Sequence, residues 1–93
     1  EESIAVAPPV AAACELLGLD PLYAANEGRF ALCLPADEAD RAVALLRAQP
    51  SGEQAAVVGR VVADHPGVVE LRSPLGPGRI VDLLSGEQMP RIC

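Results

Sequence analysis

Apolar positions recur along this chain with two different periods, and the change of period organises it. In Ala7–Asp20, "APPVAAACELLGLD", the residues Val10, Ala13, Cys14 and Leu17 fall at i, i+3, i+4 and i+7. That spacing lines one face of a helix. Pro8 and Pro9 suit its first turn, and Gly18 stands where a C-terminal cap belongs. Cys14 lies on the apolar face, so burial is its expected fate. A second helical period runs through Ala36–Gly52, "ADEADRAVALLRAQPSG". Ala39, Ala42, Val43 and Leu46 form its apolar stripe, and Pro50 with Gly52 ends it. Asp37, Glu38 and Asp40 load its N-terminal end. They complement the positive end of the helix dipole, which accounts for them better than a metal site does.

Elsewhere the pattern is that of strands. Between the helices, two apolar runs flank Asn26-Glu27-Gly28, a turn signal because Asn and Gly accept positive φ cheaply. This predicts a hairpin, or a short extended segment leading into a strand over Arg29–Leu34, with Cys33 as a core residue of that strand. After the second helix come three segments rich in branched residues: Ala55–Asp64, Val68–Ser73 and Gly78–Leu84. Turns at "HPG" and "PLGPG" separate them. Glu70 and Arg72 alternate with Val69 and Leu71, as in a strand with one wet face. His65, beside Pro66 in a turn, reads as a solvated loop residue. Ser85-Gly86-Glu87 turns the chain out into its last residues.

The predicted fold class is α+β. Two helices pack on a largely antiparallel four- to five-stranded sheet in a two-layer sandwich. Residues 1–87 form the domain and residues 88–93 a flexible tail. Architecture of this kind hosts many functions and selects none.

Composition narrows the choice. The chain has 93 residues, 51% of them hydrophobic, with one Phe, one Tyr and no Trp, so its core is aliphatic. The net charge is −6 and every basic residue is arginine. A phosphate backbone is repelled, and the aromatic platforms that stack bases are missing, which argues against nucleic acid. Without lysine there is no intact Walker-type loop to hold nucleotide phosphates. No apolar run is long enough to span a bilayer and no secretory leader is visible, so the expectation is a cytoplasmic protein with no membrane partner. The chain begins at Glu1 rather than Met, as a piece of a longer protein would. Cys14, Cys33 and Cys93 are odd in number and lack CxxC spacing, which fits neither a disulfide framework nor a zinc site.

Two residues stand out chemically. Glu27 is an acid at a turn where Asp, Asn or Ser would serve the backbone equally well. Cys93 is the last residue, in "QMPRIC", behind Pro90 and Arg91. An unperturbed thiol is only a few per cent thiolate at neutral pH. The neighbouring α-carboxylate opposes its ionisation while Arg91 favours it, and on a hydrated tail neither effect is large. Reach is what the tail offers. The steps from Leu84 to Cys93 cover roughly 30 Å when extended, the layout of a carrier thiol that swings between sites. A small regulatory or ligand-binding module with an incidental terminal cysteine fits the same pattern. So does a surface thiol used in redox coupling.

A resemblance favours the first reading. "ELLGLDPLYAANEGRFALCLP" (Glu15–Pro35), "SGEQAAVVGRVV" (Ser51–Val62) and the terminal "PRIC" (Pro90–Cys93) resemble the C-terminal portion of the HypE family of hydrogenase expression/formation proteins. The likeness covers essentially the whole chain, and the cysteine ending is its most specific part. The middle segments are shared more loosely with the aminoimidazole ribonucleotide synthetase and selenophosphate synthetase superfamily. The resemblance implies a role in making the cyanide ligands of nickel–iron hydrogenases. A HypF-like carbamoyltransferase would load a carbamoyl group on the Cys93 thiol. The whole protein would dehydrate it to a thiocyanate with ATP and Mg, and the cyano group would pass to iron on a HypC–HypD scaffold. Glu27, in the Asn-Glu-Gly segment, matches the glutamate that looks like the family's base. The N-terminal ATP-binding domain, a further partner, has no counterpart in this sequence. The chain is therefore expected to bind no cofactor itself and to be an acceptor-bearing segment, not a complete dehydratase. Cys14 and Cys33 match no catalytic position.

Overall fold

A computed structural model describes residues 2–73 and 75–83. The expected turn at Ser85–Glu87 and the tail at 88–93 lie outside the described residues.

Helix α1 spans Pro8–Leu17 and opens as the two prolines dictate. Its missing N–H groups fall in the first turn, where no intrahelical acceptor exists. Ala7 has no capping side chain, but its carbonyl accepts from Val10 N at 2.9 Å and Ala11 N at 3.0 Å. At the other end Gly18 takes the left-handed conformation, φ 67° and ψ 30°. Leu19 N donates to Cys14 O at 2.8 Å and Gly18 N to Glu15 O at 3.3 Å. This is the paired closure of a Schellman motif. The chain then enters a 3-10 turn at Pro21–Tyr23, capped by Asp20, whose Oδ1 accepts from Leu22 N at 2.9 Å.

Helix α2 spans Ala39–Arg47 and follows a second 3-10 turn at Ala36–Glu38. Asp37, Glu38 and Asp40 stand at its positive end and Arg47 at its negative end, as the dipole favours. The predicted stripe of Ala39, Ala42, Val43 and Leu46 is half-buried, and the rest of the helix is exposed. Arg47 Nε donates to Ala55 O at 2.8 Å and so folds the following loop back along the helix. Gly52 is required there: a Cβ on it would lie 1.9 Å from the Leu46 carbonyl oxygen.

Strands β1 (Glu70–Leu71) and β2 (Arg79–Ile80) pair antiparallel, with Glu70 opposite Ile80 and Leu71 opposite Arg79. A bond from Val81 N to Val69 O, 2.8 Å, carries the pairing one step further. The preceding turn has Pro66, Gly67 at φ 82° and a bond from Val68 N to His65 O, the pattern of a type II turn. His65 is exposed in it, as expected for a loop residue.

Two helices and a small antiparallel sheet make the described residues α+β. The predicted strands over Arg29–Leu34 and Ala55–Asp64 are not strands here. A strand needs a ladder partner, and the described sheet has two strands only. Nor do the helices cover that sheet. Among the described elements α1 meets the 3-10 turn after it, and α2 meets the one before it. The predicted apolar face of α1 is accordingly open: Cys14 is buried, while Val10, Ala13 and Leu17 are exposed. Cys33, expected in the core, is exposed, because the strand that would have carried it into a sheet does not form. Among the described residues Cys14 and Leu71 are buried, and Ile4, Val6, Leu19, Tyr23 and Val81 are half-buried. The two buried side chains thus lie in α1 and the hairpin, and half-buried ones are shared between the N-terminal segment, the first 3-10 turn, the hairpin and the stripe of α2. Among the described residues, no helix is long and apolar enough to cross a membrane.

Candidate functional site

Glu27 sits in a bend that the local sequence makes. Gly28 follows it at φ 79°, a conformation cheap for glycine and costly for other residues. In the amide orientation that satisfies its neighbours, Asn26 donates to the Glu27 carbonyl and accepts from Arg29 Nε, each at 3.1 Å. Arg29 also donates through Nη1 to the carbonyl of Ala5, which ties the bend to the N-terminal segment. The Glu27 carboxylate is left exposed, with no partner among the described residues. A carboxylate so placed is open to a substrate brought to it.

A polar junction elsewhere joins residues far apart in the chain. Arg79 Nη2 donates to Asp20 Oδ2 at 2.6 Å, and Tyr23 Oη donates to the carbonyl of Asp82 at 3.0 Å. Each link spans 59 positions of sequence. A shallow cavity of about 210 Å³ opens here, lined by Ile4, Val6, Asp20, Pro21, Leu22 and Arg79. Its walls are apolar with an ion pair at the edge. The sequence singled out Glu27 and gave no sign of this junction. Asp20 carried the one available signal, since Asp before Pro is a common turn start. No local pattern points from it to Arg79.

On the hairpin, Arg72 pairs with Glu70 through Nη2 at 3.2 Å and Nε at 3.3 Å. The hydrogen bond and the charge of Glu70 push the Arg72 guanidinium above its usual range. It stays charged throughout any physiological pH. Gly78 leaves room for Glu70, whose Oε1 would lie 2.1 Å from a Cβ placed there.

Of the predicted site residues, the structure places Glu27, and Cys93 lies outside the described residues. Asp37, Glu38 and Asp40 stay at the start of α2. Among the described residues no group of three His, Cys, Asp or Glu is placed to hold a metal ion.

Comparison with known proteins defines the class. Residues 2–72 match the family described as AIR synthase related protein, C-terminal domain, and the chain belongs to that family. More specific relatives align with all 93 residues. Carbamoyl dehydratase HypE of Azotobacter vinelandii and that of Rhodobacter capsulatus are each 54% identical to it over the whole chain, which covers 27% of either relative. The HypE of Escherichia coli (strain K12) is 41% identical over the same span, again 27% of its length. The chain thus spans about a quarter of the curated relatives it matches, in their C-terminal part. No solved structure matches it.

Proposed function

We propose that this chain is the carrier segment of a carbamoyl dehydratase acting in hydrogenase maturation. The observation that carries the reading is the 54% identity to carbamoyl dehydratase HypE over all 93 residues. On this reading residues 88–93 form a swinging tail on a domain of residues 1–87. The Cys93 thiolate takes a carbamoyl group from a HypF-like transferase: an S–C bond forms as the bond from the carbamoyl carbon to its activating group on the transferase breaks, and that group leaves with the electron pair. Sulfur suits the task because a thioester-like carbon stays transferable, whereas an amine or hydroxyl would hold it too tightly.

Dehydration of S–C(O)NH2 to S–C≡N breaks the C–O bond and removes both N–H protons. ATP is the co-substrate: the oxygen departs on phosphate, ADP is released, and one proton remains on the phosphate while the other reaches solvent. Glu27 is the base that takes a proton from the nitrogen, a role that needs hydrogen-bond reach. Its exposed carboxylate supports that assignment. ATP and Mg belong to the remainder of the protein on this reading, because this chain has no lysine for a Walker-type loop. A HypC–HypD scaffold in the cytoplasm is the final acceptor of the cyano group.

The four- to five-stranded sandwich belongs to the same proposal, as the state reached in the whole protein. Val57, Val58, Val61 and Val62 are exposed in the irregular segment after α2. Pairing that segment into a sheet would remove them from water. The test of function is intact-mass and peptide mass spectrometry of the full-length protein with HypF, carbamoyl phosphate and ATP. One carbamoyl group on Cys93, or the cyano group left when it is dehydrated, absent from Cys93→Ala, is the expected result. No mass gain on the wild-type protein would leave the cysteine incidental and the carrier reading wrong.

A further inference from the structure

We infer that Asn26 and Arg29 are positioning residues: together they clamp the bend that presents Glu27, and the direction of its carboxylate depends on that clamp. The inference rests on the reading of Glu27 as the base and adds to it how a base on an irregular segment is held. Residues 24–35 form neither helix nor strand. Among the described residues, no backbone–backbone hydrogen bond involves residues 25–34. Gly28 adds no stiffness, since glycine passes cheaply between φ regions, and it stands here at φ 79°. The Glu27 carboxylate has no partner of its own among the described residues. Its direction is therefore set by the backbone beneath it, and side chains must fix that backbone.

Two side chains supply the links. In the amide orientation that satisfies its neighbours, Asn26 donates to the Glu27 carbonyl at 3.1 Å and so holds the peptide plane that follows Glu27. The same amide accepts from Arg29 Nε at 3.1 Å, across the glycine. Arg29 Nη1 donates to the Ala5 carbonyl, 24 positions back in the sequence. That anchor is itself seated: its neighbours Ile4 and Val6 are half-buried and line the cavity with Pro21 and Leu22. One guanidinium thus ties the bend to a seated segment through two acceptors at once. A planar fork can do this, whereas an ammonium on a flexible stem keeps the charge and loses the fixed spacing. A general base works only within hydrogen-bond reach of the proton it takes. With the clamp open, the carboxylate spends less of its time in that position. Loading of the thiol and binding of ATP do not use Glu27, so the clamp acts on one step and spares the others.

The test uses the full-length protein. Single-turnover conversion of the isolated carbamoylated protein, started with ATP, is followed by intact mass in Arg29→Lys, Asn26→Ala and the double variant. Loading rate, ATP KM and Tm are measured alongside. Each single variant is expected to slow conversion about three- to tenfold. Loading rate and ATP KM stay at the wild-type value. The double variant should match the slower single one to within about twofold, because both changes open one clamp. Full-rate conversion in Arg29→Lys overturns the inference, since charge alone would then suffice, and full-rate conversion in Asn26→Ala overturns it equally. So do losses that multiply in the double variant, and so does a parallel fall in loading, conversion and ATP affinity, which marks a purely structural role. Glu27→Gln checks the underlying reading and should lose about 10²–10⁴-fold in conversion. Wild-type conversion there defeats the assignment of Glu27 as the base, whereas a slow Glu27→Gln beside full-rate clamp variants defeats the clamp alone.

Discussion

The region from Ala36 to Ala55 and the region joining residues 4–29 to residues 69–83 are held together in opposite ways. In the first, the bonds run between near neighbours. A 3-10 turn feeds α2, the helix carries its own charge complement, and Arg47 reaches Ala55, eight residues on. In the second, the decisive links are Asp20–Arg79 and Tyr23–Asp82, which join positions 59 apart. Closing a long loop costs more chain entropy than closing a short one, though the cost rises only slowly with length. The bonds of the first region close short loops only. The second forms only if the chain returns, and that return places Arg79 and Asp82 against the first 3-10 turn.

The sharpest way to break the second region without touching the first is at Leu71, one of its two buried residues, at 9% exposure. Leu71→Ala removes apolar contacts at the hairpin and is expected to cost about 2–3 kcal/mol, the low end for such a truncation because the site is shallow. Hydrogen exchange should then quicken at Val81 N and Val68 N while the α2 amides keep their rates. A uniform rise at all amides would mean that the two regions unfold as one, and the contrast would be lost.

The converse change is Gly52→Ala. A methyl group there would overlap the Leu46 carbonyl oxygen, so the loop must move away from the helix end. A cost of about 2 kcal/mol is expected, with the loss confined to α2 and its following loop. Because α2 and the hairpin make no contact with each other among the described elements, the Leu71→Ala and Gly52→Ala effects should add within about 0.5 kcal/mol. A denaturant series on the two single variants and the double variant measures this directly.

A smaller effect is expected from Gly18→Ala. Nothing within 4 Å obstructs a methyl group, so the cost is that of the left-handed backbone alone. That amounts to about 1 kcal/mol, read as a lower Tm and fraying of the last turn of α1.

The contrast between regions also explains what could be read from the sequence. Helix α2 was legible down to its half-buried stripe of Ala39, Ala42, Val43 and Leu46, because amphipathic period, charge placement and terminators are all local. The Gly18 cap and the bend at Glu27–Gly28 were legible for the same reason. Strand assignments over Arg29–Leu34 and Ala55–Asp64 rested on branched residues alone. Such residues state a preference, whereas a strand exists only when a partner supplies its ladder. Val10 and Leu17 marked the apolar side of α1, but the periodicity cannot say whether anything comes to cover it. Glu27 stood out by its chemistry and its turn. Asp20 and Tyr23 did not, since their roles are defined by Arg79 and Asp82, which no spacing rule connects to them.

The smallest expected effects on stability belong to the two cross-links, and salt separates them. Both are exposed. Tyr23→Phe loses a neutral hydrogen bond to the Asp82 carbonyl, about 0.5–1.5 kcal/mol. Asp20→Asn loses an ion pair near the surface and keeps its cap on Leu22 N, about 0.2–1 kcal/mol. At 1 M salt the Debye length falls to about 3 Å, so the attraction between Asp20 and Arg79 is strongly screened. The difference in Tm between wild type and Asp20→Asn should shrink in high salt, while that for Tyr23→Phe should hold. A salt-insensitive Asp20→Asn deficit would show that the carboxylate acts chiefly through hydrogen-bond geometry. The fastening of the hairpin would then depend on shape and little on charge.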